Sequence, residues 1–423
     1  MKKQKRIYLP PFSVKGGRGK LKKNKRWGVY FDSAATTPLD ASILKKMLPY
    51  LKDKYGNPSS LHKFGREAAE AVDEARQQVA KFLGCKETEV IFTGSASESD
   101  NLAIRGLIKA LRDRKREGEK IHIITSSIEH KAVLETCKDL EDEGVRVSYL
   151  PVGPDGLINL DDLEAEITPE TDLISIMYAN NEMGAVQPIK KIGQLIAKIN
   201  KTEEHLTYFH TDAVQAANWL NCNVNELGVD LLTLSGHKIY GPKGVGILYV
   251  KEGTPLSPLV TGGDQEWKLR AGTENVAAIV GMGTAIAQLN NAASLRLVTR
   301  RVKKLREKLV ADVLIRIPGS KLNGPQNPED RLPNIVNFSF EGVEGEALVL
   351  ALDQEGIAVS TGSACTSSAL LPSHILMAMG LSDLEAHSSL RVSLGKYTTL
   401  AEINYFLKVL PKIVERLRKI SGR

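Results

Sequence analysis

Between about residues 60 and 250, the chain alternates between a helical hydrophobic period and short apolar runs that are typical of buried strands. The first clear helix lies over 65–84, where apolar side chains recur at helical spacing: Ala68, Ala71, Val72, Ala75, Val79 and Phe82. Gly84 follows the last of them and predicts the end of this helix. The next run, EVIFTG, shows no polar alternation and predicts a strand that is buried on both faces.

The same alternation continues along the chain. Further helices are predicted over SESDNLAIRGLIKALRDRKR, HKAVLETCKDLEDEG and IKKIGQLIAKI, and further strands over IHIIT, RVSYLPV, DLISIMYAN, YFHTDA, DLLTLSGHK and GVGILYV. Apolar strands separated by helices predict an α/β fold with a largely parallel sheet covered on both faces. A long basic helix over 293–314 then begins a smaller domain that contains the strand NIVNFSF.

The net charge of +7 is unevenly distributed along the 423 residues. Residues 1–27 carry eleven Lys or Arg and no acidic residue, which leaves 46 basic against 50 acidic residues, a net charge of −4, in the remainder. This leader lacks the apolar segment of a secretory signal, and its Lys-rich, Ser-poor composition fits an organelle transit peptide poorly. We expect a solvated, flexible tail, with contact to nucleic acid, an anionic membrane or an acidic partner as the alternative.

Four cysteines are present, and no two of them have the spacing of a zinc knuckle or a redox dithiol: Cys85, Cys137, Cys222 and Cys365. A chain of this size needs no disulfide framework, so we expect the protein to reside in a reducing cytoplasm. Cys365 stands apart because it lies in VSTGSACTSS, a run of tiny and hydroxylated residues that could bury little apolar area. From this run alone, a small core residue, a metal ligand and a nucleophile all remain open, although His and Cys nowhere cluster as a metal site requires.

Polar residues follow the predicted strands, where parallel sheets collect their ligands. Ser95 and Ser97 lie at a helix N-terminus, which suits a phosphate group, although serine is also an ordinary helix cap. His130 follows the next strand and Asn181 a later one, and an isolated histidine is more often structural than catalytic.

Lys238 follows a strongly apolar strand and precedes a Gly-Pro-rich turn. A lone lysine is ordinarily solvated, but in a shielded cleft it can lose its proton and act as a nucleophile. Asp212 ends the preceding strand, and a carboxylate beside such a lysine is what pyridoxal phosphate needs to keep its ring nitrogen protonated. The other strand-end residues then have compatible roles: Ser97, Ser235 and His237 at the phosphate, His130 stacked on the ring, and Asn181 and Gln215 at the ring oxygen. The chain contains no P-loop, HExxH or GxSxG motif.

Motifs from about residue 28 to 400 resemble those of the pyridoxal-phosphate-dependent cysteine desulfurases of the aminotransferase class V group. The matching stretches are YFDSAATTPLD, YGNPSSLHKFGREA, FTGSASESDNLAIRG, EHKAVLETC, NNEMGAVQP, HTDAVQ, SGHKIYGPKGVGILY, RAGTENV, STGSACTSS and AHSSLRVSLG. The resemblance implies a type I aminotransferase-like fold, with a mostly parallel seven-stranded sheet in the large domain, and a homodimer with active sites at the interface. The expected divisions are the leader 1–27, a segment 28–41 associated with the small domain, a large domain 42–293 and a small α+β domain 294–423.

The resemblance also implies a role for each site residue. Lys238 binds the cofactor covalently, Asp212 pairs with the ring nitrogen, His130 stacks on the ring, and Gln215 and Asn181 contact the ring oxygen. The phosphate is bound by Ala96, Ser97, Ser235 and His237, with Thr273 of the partner subunit. Arg391 binds the substrate carboxylate with help from Asn181, since its planar fork suits bidentate contact.

By the same resemblance, L-cysteine becomes L-alanine while Cys365, on a long mobile loop, takes up the sulfur as a persulfide. Lys238 and His130 are the expected proton carriers. The sulfur acceptors would be an iron–sulfur scaffold or a carrier for tRNA thiolation, and no metal is expected beyond transient ligation of a nascent cluster by Cys365. We expect no direct nucleic-acid or membrane partner. The alternatives are a selenocysteine lyase, a class V aminotransferase, and a binding protein that acts through its basic leader.

The chain departs from the family pattern in three places. Gly94 and Ser95 stand in reversed order, and Ser97 replaces the usual threonine. The stretch TGGDQEWKLRAGT differs from the common GGGQERGLRSGT, with new residues Asp264, Trp267 and Lys268 that could alter the interface or the substrate entrance. Thr361 replaces a serine near Cys365, which is a mild change.

Overall fold

The computed structural model describes residues 28–114, 120–202, 205–362 and 371–422, so that the leader 1–27 and Cys365 lie outside the described residues. The helices are α1 (Ala41–Lys52), α2 (Lys63–Leu83), α3 (Ala96–Arg112), α4 (Lys131–Asp142), α5 (Leu160–Glu166), α6 (Ile189–Ile199), α7 (Val224–Leu227), α8 (Val276–Leu289), α9 (Ala292–Arg316), α10 (Gly345–Gln354), α11 (His374–Ala378), α12 (Asp383–His387) and α13 (Leu400–Ile420). The strands are β1 (Val29–Tyr30), β2 (Val90–Thr93), β3 (His122–Ser126), β4 (Arg146–Leu150), β5 (Thr171–Ser175), β6 (Tyr208–Asp212), β7 (Leu231–Ser235), β8 (Gly246–Val250), β9 (Ser320–Asn323), β10 (Ile335–Phe340), β11 (Ile357–Ala358) and β12 (Ser389–Ser393).

Within these ranges, seven strands form one large sheet in the order β2-β8-β7-β6-β5-β3-β4. Neighbouring strands pair in parallel from β7 to β4, whereas β8 runs antiparallel to both β2 and β7. Except for the edge strand β4, most of which is only partly buried, the strands are buried along nearly their whole length, which explains their unbroken apolar sequences. The α/β fold with a largely parallel, helix-covered sheet is therefore confirmed.

Local sequence signals set the helix ends that carry the site. Gly84 ends α2 in the left-handed conformation (φ 71°), as its sequence position predicts. Ser95 begins α3 by accepting a hydrogen bond on its hydroxyl from the Glu98 amide (3.1 Å). His130 begins α4 in the same manner, with Nδ1 accepting from the Ala132 amide (3.1 Å). Each cap places a polar residue directly after a strand of the large sheet.

A second core lies around the antiparallel sheet β12-β10-β9, between helices α9, α10 and α13. The N-terminal segment joins this core, because β1 pairs in parallel with β11 and Phe31 packs edge-on against Phe406 (ring centroids 5.7 Å apart). The division into a large and a small domain stays a prediction, which the separation of this core from those of the large sheet supports.

In the described part of the chain, no single helix has the length and apolar character to cross a membrane. By length and composition alone, α8 and α9 taken together could span a membrane, but the two helices meet at a bend of 79°.

Candidate active site

A cavity of about 560 Å³ opens at the carboxyl ends of the parallel strands. Ten of the twelve site residues expected from the sequence line it: Ala96, Ser97, His130, Asn181, Asp212, Gln215, Ser235, His237, Lys238 and Arg391. Thr273 is exposed and does not line this cavity within the single chain. Cys365 lies outside the described residues, but Gly362, three positions before it, lines the cavity wall.

Lys238 lies in the 3₁₀ turn that follows β7. Its Nζ donates to the carbonyl oxygens of Ala34 (2.5 Å) and Ala35 (2.8 Å) in the N-terminal segment. The Gln215 side chain also donates to the Ala34 oxygen (3.0 Å). Neutral carbonyl groups of the N-terminal segment therefore hold the amine at the cavity wall.

Asp212 is the last residue of β6, and its side chain is buried beside the cavity. Its Oδ1 accepts a hydrogen bond from the Val214 amide (2.9 Å), which fixes the carboxyl orientation. Burial raises the pKa of Asp212, while the nearby His130 and Lys238 act in the opposite direction. A buried carboxylate of this kind is stabilised by a cation, such as a protonated ring nitrogen.

His130 is neutral in this site because burial lowers its pKa. Since Nδ1 accepts the Ala132 amide (3.1 Å), the proton of the neutral ring belongs on Nε2. The helix cap thus fixes the tautomer and leaves a flat aromatic ring at the cavity, which suits stacking on another ring.

The N-terminus of α3 presents an anion-binding backbone to the cavity. The first-turn amides of Ala96 and Ser97 have no intrahelical partner, and the helix dipole favours negative charge there. Glu98 braces this turn by accepting the Gly94 amide (2.8 Å) and the Arg270 guanidinium (2.8 Å). The reversed order of Gly94 and Ser95 therefore leaves a capped and braced helix start.

Two further elements complete this anion-binding corner. Gly246 of β8 approaches the helix start so closely that a Cβ there would lie 2.5 Å from the Ser95 carbonyl. His237 contributes a ring whose Nδ1 lies 3.1 Å from the Thr36 hydroxyl. Burial lowers the pKa of His237 to about 4, so the ring is neutral near pH 7 and binds through hydrogen bonds. Lys243 adds a positive charge to the lining.

Arg391 reaches the cavity from β12 and is only 3% exposed. Its Nη2 donates to Asp32 Oδ1 (2.8 Å), and its Nη1 donates to the Asn181 carbonyl (3.1 Å). Arg391 Nε and Asn181 Oδ1 are buried and have no hydrogen-bond partner within the described residues. Buried polar atoms without partners are costly, so this corner is suited to a polar ligand such as a carboxylate.

The donor set fits pyridoxal phosphate. Lys238 supplies an amine, Asp212 an acceptor for a ring N–H, and the start of α3 a phosphate seat. The unpartnered oxygen of Asn181 provides a further polar contact on the same wall. Across the described ranges, no group of three His, Cys, Asp or Glu residues is arranged to hold a metal ion.

The structure also adds residues that the sequence argument missed. Asp32, Ala34 and Lys243 gave no local signal, because their relation to the site arises only in the folded chain. Asp100 did give a local signal, because this acidic residue shares one face of α3 with the apolar residues Ala103 and Ile104.

The three described cysteines lie in settings that suppress nucleophilic reactivity. Burial raises the thiol pKa of Cys85, Cys137 and Cys222 to about 12 in each case. The thiolate is the reactive form, so these thiols are poor nucleophiles near neutral pH.

Comparisons with known proteins agree on one family. The family model described as aminotransferase class-V matches residues 29–406. A protein named cysteine desulfurase IscS from Dictyoglomus turgidum is 50% identical over 395 residues, covering 93% of this chain and 96% of the relative. A solved structure named NifS-like protein is similar with a TM-score of 0.84 and 39% identity, covering 92% of this chain and all of that one. Another, SspA in complex with cysteine, has a TM-score of 0.74 and 38% identity, covering 88% of this chain and all of that one.

Proposed function

The chain belongs to the aminotransferase class-V family and is a cysteine desulfurase, and from that premise we propose that Cys365 takes the sulfur atom of L-cysteine. The observation that carries the proposal is the meeting of Lys238, Asp212, His130 and Arg391 around one cavity of about 560 Å³. The similar structure of SspA in complex with cysteine supports L-cysteine as the substrate.

The proposed cofactor is pyridoxal 5'-phosphate. Lys238 Nζ would hold it covalently, Asp212 would bind the ring nitrogen, and His130 would stack on the ring. Gln215 and Asn181 would bind the ring oxygen. The phosphate would be bound by Ala96, Ser97, Ser235 and His237, together with Thr273 of the partner subunit. When bound, this cofactor acts as an electron sink that weakens the bonds at the substrate α- and β-carbons.

The side chains around the cavity would position the substrate and move its protons. Arg391 would bind the substrate carboxylate through its guanidinium fork, with Asn181 supplying an acceptor for the amino group. Lys238 Nζ, once free of the cofactor, and His130 Nε2 are the proposed carriers of protons. The two carbonyl oxygens of Ala34 and Ala35 would steady the Lys238 amine while it holds its proton.

Sulfur transfer would use the Cys365 thiol as the acceptor. The substrate C–S bond breaks, an S–S bond forms on Cys365, and the substrate carbon skeleton gains a proton and leaves as L-alanine. The enzyme thiol plus L-cysteine thus gives an enzyme persulfide plus L-alanine. A second cavity of about 540 Å³ adjoins the first and includes Gly362 and Leu371, the described residues on either side of Cys365. That placement supports access of Cys365 to the site.

We further propose a homodimer in a reducing cytoplasmic setting. Exposed apolar side chains concentrate on α1, on the connection to α2 and at the start of α2: Leu44, Leu48, Leu51, Tyr55, Leu61 and Phe64. A patch of this kind on a folded chain marks an interaction surface. Thr273 is exposed and away from its own cavity, which suits a contribution to the partner's phosphate site. The persulfide would supply an iron–sulfur scaffold or a carrier for tRNA thiolation.

Incubation with L-cysteine and a reductant tests the proposal. The purified protein should be yellow from bound cofactor and should release sulfide and alanine in equal amounts. Cys365→Ala should keep the colour and lose the activity, whereas Cys85→Ala, a half-buried thiol away from the cavity, should keep both. Full activity of Cys365→Ala would contradict the nucleophile assignment and would favour a selenocysteine lyase or aminotransferase mechanism.

A further inference from the structure

The floor of the cavity contains a carboxyl group that the proposed reaction does not use. Asp100 projects from α3, is 1% exposed and lines the cavity. Its Oδ1 has no hydrogen-bond partner within the described residues. Leaving a buried polar atom unpaired costs free energy, and keeping an acid at such a position therefore calls for a function.

Asp100 belongs to a small buried cluster with residues of β6 and β7. His210 and Asp212 lie two positions apart on β6 and so face the same side of the sheet. Thr233 of β7 is paired with Asp212 in the strand register. His210 Nε2 lies 3.2 Å from the Thr233 hydroxyl and 3.7 Å from Asp100 Oδ1, while its Nδ1 lies 2.8 Å from the Ser175 hydroxyl. We call Asp100, His210, Asp212 and Thr233 the floor cluster.

Two neighbouring buried carboxyl groups cannot both be ionised without a large cost. Burial raises the pKa of Asp100, and the charge of Asp212 raises it further. Asp212 differs because His130 and Lys238 act to lower its pKa. The pair therefore carries its proton on Asp100 and its charge on Asp212.

The other titratable groups around the floor agree with this assignment. Burial lowers the pKa of His210 to about 3, so its ring is neutral. Glu129, at the turn before α4, is also buried, and burial raises its pKa to about 8. Glu129 Oε1 accepts the Ser126 hydroxyl (2.6 Å) and the Met177 amide (2.8 Å), and these two hydrogen bonds lower its pKa in opposition to burial.

We propose that Asp100 is a positioning residue, a neutral acid that acts through His210 and Thr233 to keep the negative charge of the floor cluster on Asp212. This inference rests on the proposed function, because the charge on Asp212 matters only if a ring nitrogen binds there. A cofactor whose ring nitrogen meets a neutral Asp212 would lose its proton and its capacity as an electron sink.

Two substitutions at the same position separate a neutral acid from an anion. In Asp100→Asn, the amide copies the shape and neutrality of the protonated acid, so the cofactor dissociation constant should stay within about twofold of wild type. In Asp100→Leu, the position stays neutral but the side-chain hydrogen bond to Thr233 is lost, so the floor cluster no longer holds Asp212 in place. Cofactor binding should then weaken about tenfold, and the pH midpoint of the bound-cofactor absorbance band should shift by about one unit. Both are measured on the holoenzyme.

Asp172→Asn is the matched control. Asp172 is also a buried acid of the large sheet, but it does not line the cavity. Its Oδ2 accepts the His122 amide (3.1 Å), and its Oδ1 lies 3.1 Å from His205 Nε2. Its substitution should leave both cofactor readouts unchanged. Thr233→Val is similar in shape and removes one hydroxyl of the floor cluster, so it should weaken cofactor binding several-fold. This variant tests the proposed role of Asp100 if the leucine variant does not fold.

The inference is overturned if Asp100→Asn is as impaired as Asp100→Leu, because Asp100 would then act as an anion. It is also overturned if a folded Asp100→Leu, or Thr233→Val, matches wild type in both readouts. A wild-type protein that binds no pyridoxal phosphate would overturn the proposed function as well, so the two failures are distinguishable.

Discussion

Two regions of the cavity are built in different ways. The first, which we call the cofactor cradle, consists of Ser97, His130, Asp212, Ser235, His237 and Lys238, all placed at the carboxyl ends of strands of the large sheet or shortly after them. The second, the carboxylate grip, consists of Asp32, Asn181 and Arg391. In the cradle, Asp212 and His130 are oriented by amides two residues further along the chain. In the grip, Arg391 is held by partners 359 and 210 positions away.

The cradle is therefore largely preorganised by strand-end geometry, while the grip requires correct docking of the second core. The cradle depends on distant residues through Lys238, whose amine is held by the Ala34 and Ala35 carbonyls, and through His237, whose Nδ1 lies 3.1 Å from the Thr36 hydroxyl. We therefore expect cofactor binding and substrate binding to respond separately to substitution.

Lys238→Ala should abolish the reaction. The variant has no amine to hold the cofactor covalently or to carry the substrate proton, so alanine formation should fall by at least about 1,000-fold. The visible absorbance and the rate of alanine formation measure the two losses. Lys251→Ala is a suitable control, since Lys251 pairs with Asp230 (2.9 Å) outside the cavity. Normal turnover by Lys238→Ala would contradict the assignment of the whole cradle.

Arg391→Lys should impair the grip without affecting the cradle. Lysine keeps the positive charge but cannot bind a carboxylate with two parallel N–H donors, so kcat/KM for L-cysteine should fall about 100-fold, mainly through KM. The colour of the bound cofactor should not change.

Arg331→Lys tests whether any buried arginine has this effect. Arg331 is equally buried, but it donates only to carbonyl oxygens, those of Met183 (2.6 Å), Asn323 (2.7 Å) and Pro325 (2.8 Å). Its substitution should reduce stability and leave KM within about twofold of wild type. A loss of colour in Arg391→Lys would show that cradle and grip are not separable.

The same contrast explains how far sequence reasoning can reach. The cradle was predictable because each residue lies at or shortly after the end of an apolar strand, and parallel strands bring those positions to one edge. Asp32 and Ala34 could not be found in this way, because nothing near them in the chain indicates which distant side chain they meet.

The antiparallel direction of β8 was also missed, although the chain did contain a signal. Only residues 236–245 separate β7 from β8, and a parallel crossover generally needs a dozen or more residues. Strand length is a second difference, since β5 ends at Ser175 while the predicted apolar run continued to residue 180. The chain beyond β5 still donates backbone hydrogen bonds to β6, from Ile176 to His210 and from Tyr178 to Asp212, and it then lines the cavity at Ala179 and Asn181.

Gly246→Ala should weaken the cradle at its phosphate corner. The new Cβ would lie 2.5 Å from the Ser95 carbonyl and 2.6 Å from the Thr93 hydroxyl, so the start of α3 must shift. We expect cofactor affinity to fall about tenfold, with KM for L-cysteine in the saturated enzyme changed much less. Gly144→Ala is the control: its φ of 85° is strained for alanine, but the position is open and away from the cavity. Equal affinity losses in both variants would assign the effect to general destabilisation.

The smallest expected effect concerns the pH dependence of stability at the floor of the cradle. Burial lowers the pKa of His210 from 6.5 to about 3, because the folded protein cannot hydrate the imidazolium ion. Between these values the unfolded chain holds a proton that the folded chain does not, so the free energy of unfolding falls as pH decreases. The slope from this one group is about 1.4 kcal/mol per pH unit below pH 6.5.

Urea unfolding of His210→Gln between pH 5 and 6.5 checks this slope. The variant cannot take up the proton in either state, so its stability should decline less steeply with acid than that of wild type by about one proton. If His210→Gln keeps the wild-type slope, His210 is protonated in the folded protein. The floor cluster would then contain a cation beside Asp100, and the assignment of the proton to Asp100 and of the negative charge to Asp212 would be wrong.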